Sequence, residues 1–338
     1  MRARTNPRLG VMSFSFGKEL FAGLSIEECF RRTAALPGRQ SMEIIGGQLL
    51  RSFPGLTPDV EHAMNALFDR YELGRAGYGA YIERGRRTGI TASDEVVIGH
   101  LRAEIDIARR LGFSLLRLNK ATPELLDLLL AEVEPLGMTV AVELHADTIE
   151  MPGPQALAEY FERRQSPFLG FLQDFGAFTV KVPQVFVGHA LRNGLEPDIV
   201  RLIADSWNAA RPLAETLDEV ASLDPSPLAK SQTSICYAVY VRSNVQSFRS
   251  VIPHLKHVHA KFYGMVDEDE PAIPYRDLVS ILVEAGYDGV IASEYGGGLF
   301  SSAPDTFDQL GPHQRMIERY WREADVQDNN REMRRNAG

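Results

Sequence analysis

Short runs of β-branched and other apolar residues alternate along the chain with stretches whose apolar residues recur at i, i+3, i+4 and i+7. That alternation is the pattern of parallel strands covered by crossover helices. Eight runs can be counted: Arg8 to Phe16, Ser41 to Ile45, Leu73 to Tyr81, Ser114 to Leu118, Met138 to Glu143, Leu169 to Asp174, Lys256 to Phe262 and Gly289 to Glu294. Eight is the number at which such strands close, so the expected fold is α/β, a (β/α)8 TIM barrel. Between the runs, Ser25 to Leu36, Asp94 to Leu111, Thr122 to Leu136, Gln155 to Arg164 and Tyr275 to Ala285 carry the helical period. Several have readable ends. Ser25 with Glu28 forms a capping box, Thr122 precedes a proline at a first helical position, and Leu-Gly pairs at 111 and 136 mark stops.

One interval breaks the rhythm, because 85 positions separate Asp174 from His259, far more than one crossover needs. Pro197 to Leu217 reads as a helix, Leu223-Asp-Pro-Ser-Pro-Leu as a loop, and Ser231 to Val241 as a packed apolar stretch. Residues 178–254 are therefore expected to form a structured insertion between strands six and seven, over the barrel's C-terminal mouth, shaping a pocket or a subunit contact. Residues 1–325 are expected to form one barrel domain. Residues 326–338 form a charged tail, with the chain beyond Tyr320 a frayed helix.

Composition narrows the function classes. A length of 338 residues with 44% hydrophobic and 24% charged residues suits a soluble globular chain with a large core. A formal charge of −9 disfavours nucleic acid as a partner, since phosphate binding is built from Lys and Arg. Two cysteines, Cys29 and Cys236, each within an apolar stretch, imply neither a disulfide framework nor a cysteine metal cluster, and point to the cytoplasm. The first residues lack an apolar segment behind their charges and no run of 18 apolar residues occurs, so neither export nor membrane spanning is expected.

Chemistry in this fold gathers where strands end. The fifth run ends in Glu143-Leu-His145, the sixth in Gln-Asp174-Phe-Gly, the seventh reads His257-Val-His259-Ala-Lys261, and the eighth ends in Ser-Glu294-Tyr. Any one of these could be a solvated carboxylate, a turn cap or a core histidine. Three carboxylates and an imidazole on four successive strand ends suit a divalent cation in a mainly oxygen field: Mn²⁺ first, with Mg²⁺ or Co²⁺ as alternatives. A dication beside a carbonyl stabilises the enediolate formed when a neighbouring proton is removed. His257 and His259 share parity, and His259 is nearer the mouth, so His259 is taken as the ligand. Lys261 has the same parity and could steer substrate oxygens, and His145 could act as acid or base. Ser13, Ser15, Asn119 and Lys120 also close runs and could contact hydroxyls.

The segments Val-Glu143-Leu-His145, Gln-Asp174-Phe-Gly, His257-Val-His259-Ala-Lys261-Phe-Tyr and Ser-Glu294-Tyr-Gly resemble the motifs of the xylose isomerase-like barrel superfamily, the sugar phosphate isomerase/epimerase group. The resemblance spans nearly the whole chain. It implies that Glu143, Asp174, His259 and Glu294 hold one divalent cation and that the two glutamates take part in proton transfer. Ketose 3-epimerases carry a His three residues after the metal Asp, where this chain has Ala177. That departure, the insertion, and the Glu-x-His and His-x-Lys-Phe-Tyr segments are similar to the large α subunit of bacterial C-glycoside deglycosidases. Such a resemblance implies cleavage of 3-oxo-C-glycosides beside a small β-sandwich β subunit, with His145, Glu143 and Glu294 as the proton-transfer candidates, in an oligomer. The alternatives are a ketose or aldose isomerase or epimerase working through the same enediolate, and a barrel that only binds sugar or a partner. An apurinic-site endonuclease, which needs several zinc ions and a basic face, fits neither the charge nor the few histidines.

Overall fold

The strands are set by alternation within each apolar run. In β5, Thr139–Leu144, Val140, Val142 and Leu144 alternate with Ala141 and Glu143, so one face meets the surrounding helices and the other faces the interior. A computed structural model of the chain describes residues 6–82, 92–300 and 305–336. Its other strands are β1 Arg8–Met12, β2 Ser41–Ile45, β3 Gly74–Ala80, β4 Leu115–Leu118, β6 Leu169–Asp174, β7 Leu255–Phe262 and β8 Val290–Tyr295. All pair in parallel with their sequence neighbours, and β8 returns to β1 to close the barrel. The expected fold class is met. Residues 1–5, 83–91 and 301–304 of the expected 1–325 unit, and the last two residues of the expected tail, lie outside the described residues.

The core lies between the strands and the helix ring, where Val11, Ile44, Tyr78, Leu116, Val140, Phe171, Val258 and Ile291 are fully buried. Pairing register then places the inward residues in tiers. Arg117 pairs with Ala141, Glu143 with Leu172, Leu172 with His257, Asp174 with His259, and Lys261 with Glu294. Partners in register point to the same side, so the polar positions of β4 to β8 share the interior of the barrel.

Three elements differ from the sequence pattern. The first strand stops at Met12, and Ser13–Phe16 coil into a 3-10 turn because Ser13 Oγ leaves the strand to bond β2. The stretch Pro197 to Leu217 is two helices, Pro197–Asn208 and Leu213–Leu223. Ala210 adopts a left-handed conformation (φ 56°) between them, and the proline at 212 disfavours helical backbone in the residue before it. A helix over Pro58–Arg70, with Val60, Met64 and Phe68 buried at four-residue spacing, was not anticipated.

Between β6 and β7 the chain forms helices Gln184–Arg192, Pro197–Asn208, Leu213–Leu223 and Pro227–Val239. Thr179 N–H donates to Val241 O (3.0 Å), joining the two ends of this segment, and Arg192 donates to Phe300 O (2.6 Å) beyond β8. The last helix, Thr306–Asn336, docks Leu310, Met316, Ile317, Tyr320, Trp321 and Ala324 into the core, so it stays packed one turn past Tyr320. Among the described residues, no helix is long and apolar enough to cross a membrane.

Candidate metal centre

β7 supplies the axis of the site. Its alternation turns His257, His259 and Lys261 inward, one above another towards the mouth, and its neighbours in register surround them with carboxylates. His259 Nδ1 lies 3.1 Å from Glu143 Oε1 and 3.2 Å from Glu294 Oε2. Lys261 Nζ sits between Glu294 Oε1 (2.6 Å) and Asp174 Oδ2 (3.3 Å). The remaining oxygen of Asp174 accepts from Gly176 N–H at 2.7 Å. Three of the four expected ligands thus converge, with ligand atoms within 4.8 Å of one another, and Asp174 joins them through Lys261.

Beneath this group is a second one that sequence reading missed. Glu43, inward on β2, is fully buried, and its Oε2 lies 2.9 Å from His257 Nε2 and 2.8 Å from His259 Nε2. Arg117, buried on β4, places Nε 3.8 Å from Glu43 Oε1 and 3.7 Å from Glu143 Oε2 and stacks its guanidinium 4.7 Å from the Tyr81 ring. Glu43, His259, Glu143 and Arg117 therefore form a closed ring of alternating charge.

The electrostatics follow from this packing. Burial works to raise Glu43, but the charge of His259 and the hydrogen bonds of both histidines hold it below the usual carboxylate range. Burial likewise opposes ionisation of Glu294 and Glu143, and is overcome by Lys261 at Glu294 and by Arg117 at Glu143, so both are held low. Asp174 is pushed up by burial, against the pull of Lys261. Despite its burial, His259 is raised well above its ordinary value by Glu43, Glu143 and Glu294. Without a cation it is an imidazolium.

A divalent cation fits the upper group. With Glu43, Glu143, Asp174 and Glu294 ionised and His259 neutral, as a ligand must be, four negative charges face the two positive ones of Arg117 and Lys261, a net of −2 that one dication cancels. Glu294 Oε2 is buried with no hydrogen-bond partner among the described residues, although it lies near His259 Nδ1. The lower group, Glu43 with His257 and His259, is sealed from the mouth and already faces the Arg117 cation, which makes it a poorer seat.

His145 is partly exposed, but its Nε2 is buried, lying 3.8 Å from Asp174 Oδ2 with no hydrogen-bond partner for that nitrogen among the described residues. Gly176 makes that approach possible: a Cβ there would lie 2.6 Å from Lys261 Cδ and 3.2 Å from His145 Nε2. Ser13 is not at the mouth surface. It is buried, donating to Gln48 Oε1 and accepting from Ile45 N–H, and Ser15 similarly accepts from Tyr295 N–H. Asn119 accepts from Ile82 N–H through Oδ1 and keeps its amide nitrogen, while Lys120 is exposed. Ala177, where epimerases carry histidine, is buried and offers no acid or base.

Known proteins can be set against this geometry. A solved xylose isomerase domain protein from Planctomyces limnophilus superposes with a TM-score of 0.55 at 12% identity, covering 95% of this chain and 99% of that one. The fold is a xylose isomerase-like barrel. Two curated relatives resemble this chain in sequence. The C-glycoside deglycosidase alpha subunit of Microbacterium trichothecenolyticum is 29% identical over 332 residues, covering 93% of this chain and 90% of its own length. The 3'-dehydrocarminate deglycosidase alpha subunit of a Microbacterium species is 26% identical over 352 residues, covering 97% and 99%. No protein-family profile matches the chain. The resemblance carried by the strand-end motifs is thus borne out at the level of fold and relatives.

Proposed function

We propose that this chain is the catalytic α subunit of a C-glycoside deglycosidase that removes the proton next to the ketone of a 3-oxo-C-glycoside. One divalent cation, Mn²⁺ foremost, is held by Glu143, His259 and Glu294 with Asp174 beside them. The observation that carries the reading is the convergence of His259 Nδ1 with the two glutamate oxygens at the open end of the barrel. The names of the relatives direct the choice of substrate: both are deglycosidase alpha subunits, and one is named for a 3'-dehydro substrate, a ketone.

A cation at this site supplies a Lewis acid that acidifies a C–H bond beside a ketone. The chain's own groups do the rest. Glu143 and Glu294 are committed to Arg117, His259 and Lys261, so His145, whose Nε2 beside Asp174 has no hydrogen-bond partner among the described residues, is the best-placed base. It takes the C2 proton, and the C–H electron pair forms the C1–C2 double bond. The C1–C bond then breaks, its pair leaving with the aglycone carbon, which gains a proton. Asp174, 3.8 Å from His145, steadies the imidazolium. Lys261 offers an ammonium to substrate oxygens, and Asn119 and Lys120 offer amide and ammonium to hydroxyls. The hydroxyl of Ser13 is already engaged on both sides and has little to offer. A small β subunit and a cytoplasmic oligomer complete the proposal, supported by the relatives' designation as alpha subunits and by two buried free cysteines.

The test is to incubate the protein, with and without a co-expressed β-sandwich partner, with 3-oxo-C-glycosides and with free ketoses, before and after EDTA treatment. Free aglycone, lost on chelation and restored by Mn²⁺, is the expected result. A new ketose isomer in place of aglycone would transfer the assignment to the isomerase class, and turnover that survives exhaustive chelation would refute the cation's role.

A further inference from the structure

Glu43 sits where nothing reaches it from outside, yet it is the hub of the lower tier. Its Oε2 meets the Nε2 atoms of two different histidines, at 2.9 Å for His257 and 2.8 Å for His259. A carboxylate has only lone pairs to offer, so each of these nitrogens must bear a proton and donate it. In the metal-free imidazolium Nδ1 bears the second proton, facing Glu143 Oε1 and Glu294 Oε2, and with Nε2 held by Glu43 it is Nδ1 that would give up its proton to a cation. On β3, Gly77 pairs with Glu43. His257 and Arg117 hold the carboxylate from below and from the side.

We propose that Glu43 is a positioning residue for the cation site: it keeps the His259 proton on Nε2 and fixes the ring so that Nδ1 is turned to the cation. The inference rests on the cation site proposed above. A carboxylate is required rather than an amide because an amide can also donate, and a donor facing Nε2 would shift the proton to Nδ1 and close the coordinating lone pair. Outer-shell carboxylates of this kind orient metal-bound histidines and set metal affinity.

The test measures Mn²⁺ affinity by counting free Mn²⁺ with electron paramagnetic resonance for the purified wild type, Glu43→Gln and His257→Asn, with circular dichroism to confirm folding. Glu43→Gln is expected to weaken Mn²⁺ binding about ten- to a hundredfold while remaining folded, and His257→Asn to weaken it less. Long-range ¹H–¹⁵N spectra of the Mg²⁺-loaded wild type are expected to show His259 protonated on Nε2. These spectra decide the matter even if Glu43→Gln does not fold. Unchanged affinity in folded Glu43→Gln, or a His259 proton on Nδ1 in the loaded protein, overturns the role of Glu43 alone. Failure of the wild type to bind Mn²⁺ overturns the cation site and this inference with it.

Discussion

Lys261 gives the most direct measure of how the carboxylates of the upper tier are balanced. Its ammonium, almost wholly buried, lies 2.6 Å from Glu294 and 3.3 Å from Asp174. At an effective dielectric of about 20, those separations correspond to gross attractions of roughly 6 and 5 kcal/mol. Desolvation of the three charges opposes most of this, and loss of one member of a buried pair costs about 3–5 kcal/mol. Lys261→Met keeps the stem's length but makes the site one charge more negative. In EDTA the variant is expected to unfold about 3–5 kcal/mol below the wild type in urea titrations. Added Mn²⁺ at a hundred times its dissociation constant stabilises a single-site protein by about 2.7 kcal/mol, and at equal concentration the gain is expected to be larger in the variant, whose site attracts the dication more strongly. Equal stability in EDTA, or an equal Mn²⁺-induced gain, would refute the view that Lys261 stands in for part of the cation's charge.

Other consequences can be measured separately. His145→Ala is expected to lower turnover by about 10²- to 10⁴-fold with Mn²⁺ affinity intact, and a parallel loss of both would move His145 from base to ligand. Gly176→Ala pushes a methyl against Lys261 Cδ and His145. It is expected to cost about 1–3 kcal/mol in stability and to cut turnover more than tenfold, and a fully active variant would show that the approach of these two side chains is dispensable. His313, stacked on Phe262 with Nε2 donating to Tyr275 Oη and Nδ1 accepting from Ser293, is held neutral by burial, which lowers it to about 3. Because the unfolded chain binds that proton more readily, this contribution is complete above the unfolded value of about 6.5 and is lost as pH falls towards 3, at up to about 1.4 kcal/mol per unit. Between pH 7 and 5 the wild type should therefore lose about 2 kcal/mol more than His313→Gln in chemical unfolding, and parallel losses would sink the assignment.

The barrel was legible because apolar runs alternate with crossover helices that keep one apolar face, and the site because Glu143, Asp174 and Glu294 close three runs around the His-x-His-x-Lys of the seventh. The lower tier was hidden by the same rule. Attention to strand ends passes over Glu43 in the middle of Ser-Met-Glu-Ile-Ile and Arg117 in Leu-Leu-Arg-Leu, neither of which terminates its run. The signal was nevertheless present, since a charge inside an otherwise apolar strand must be paired when buried. Ser13 misled for a related reason: the apolar run continues through Phe14 and Phe16, but the strand itself ends one residue before the serine. The helix Pro58–Arg70 carried its own marks, a Thr-Pro start and apolar residues four apart, which the strand-centred pattern passed over.

The backbone pair between Thr179 and Val241 has an architectural consequence. The chain departs from β6 and comes back towards β7 through a single doorway, so the four helices beyond it hang on the barrel as a cassette whose size is decoupled from the distance the connection must span. Exchanging that cassette for one from a relative would change the chain on the far side of the doorway while the inward side chains, fixed by strand register, stay in place.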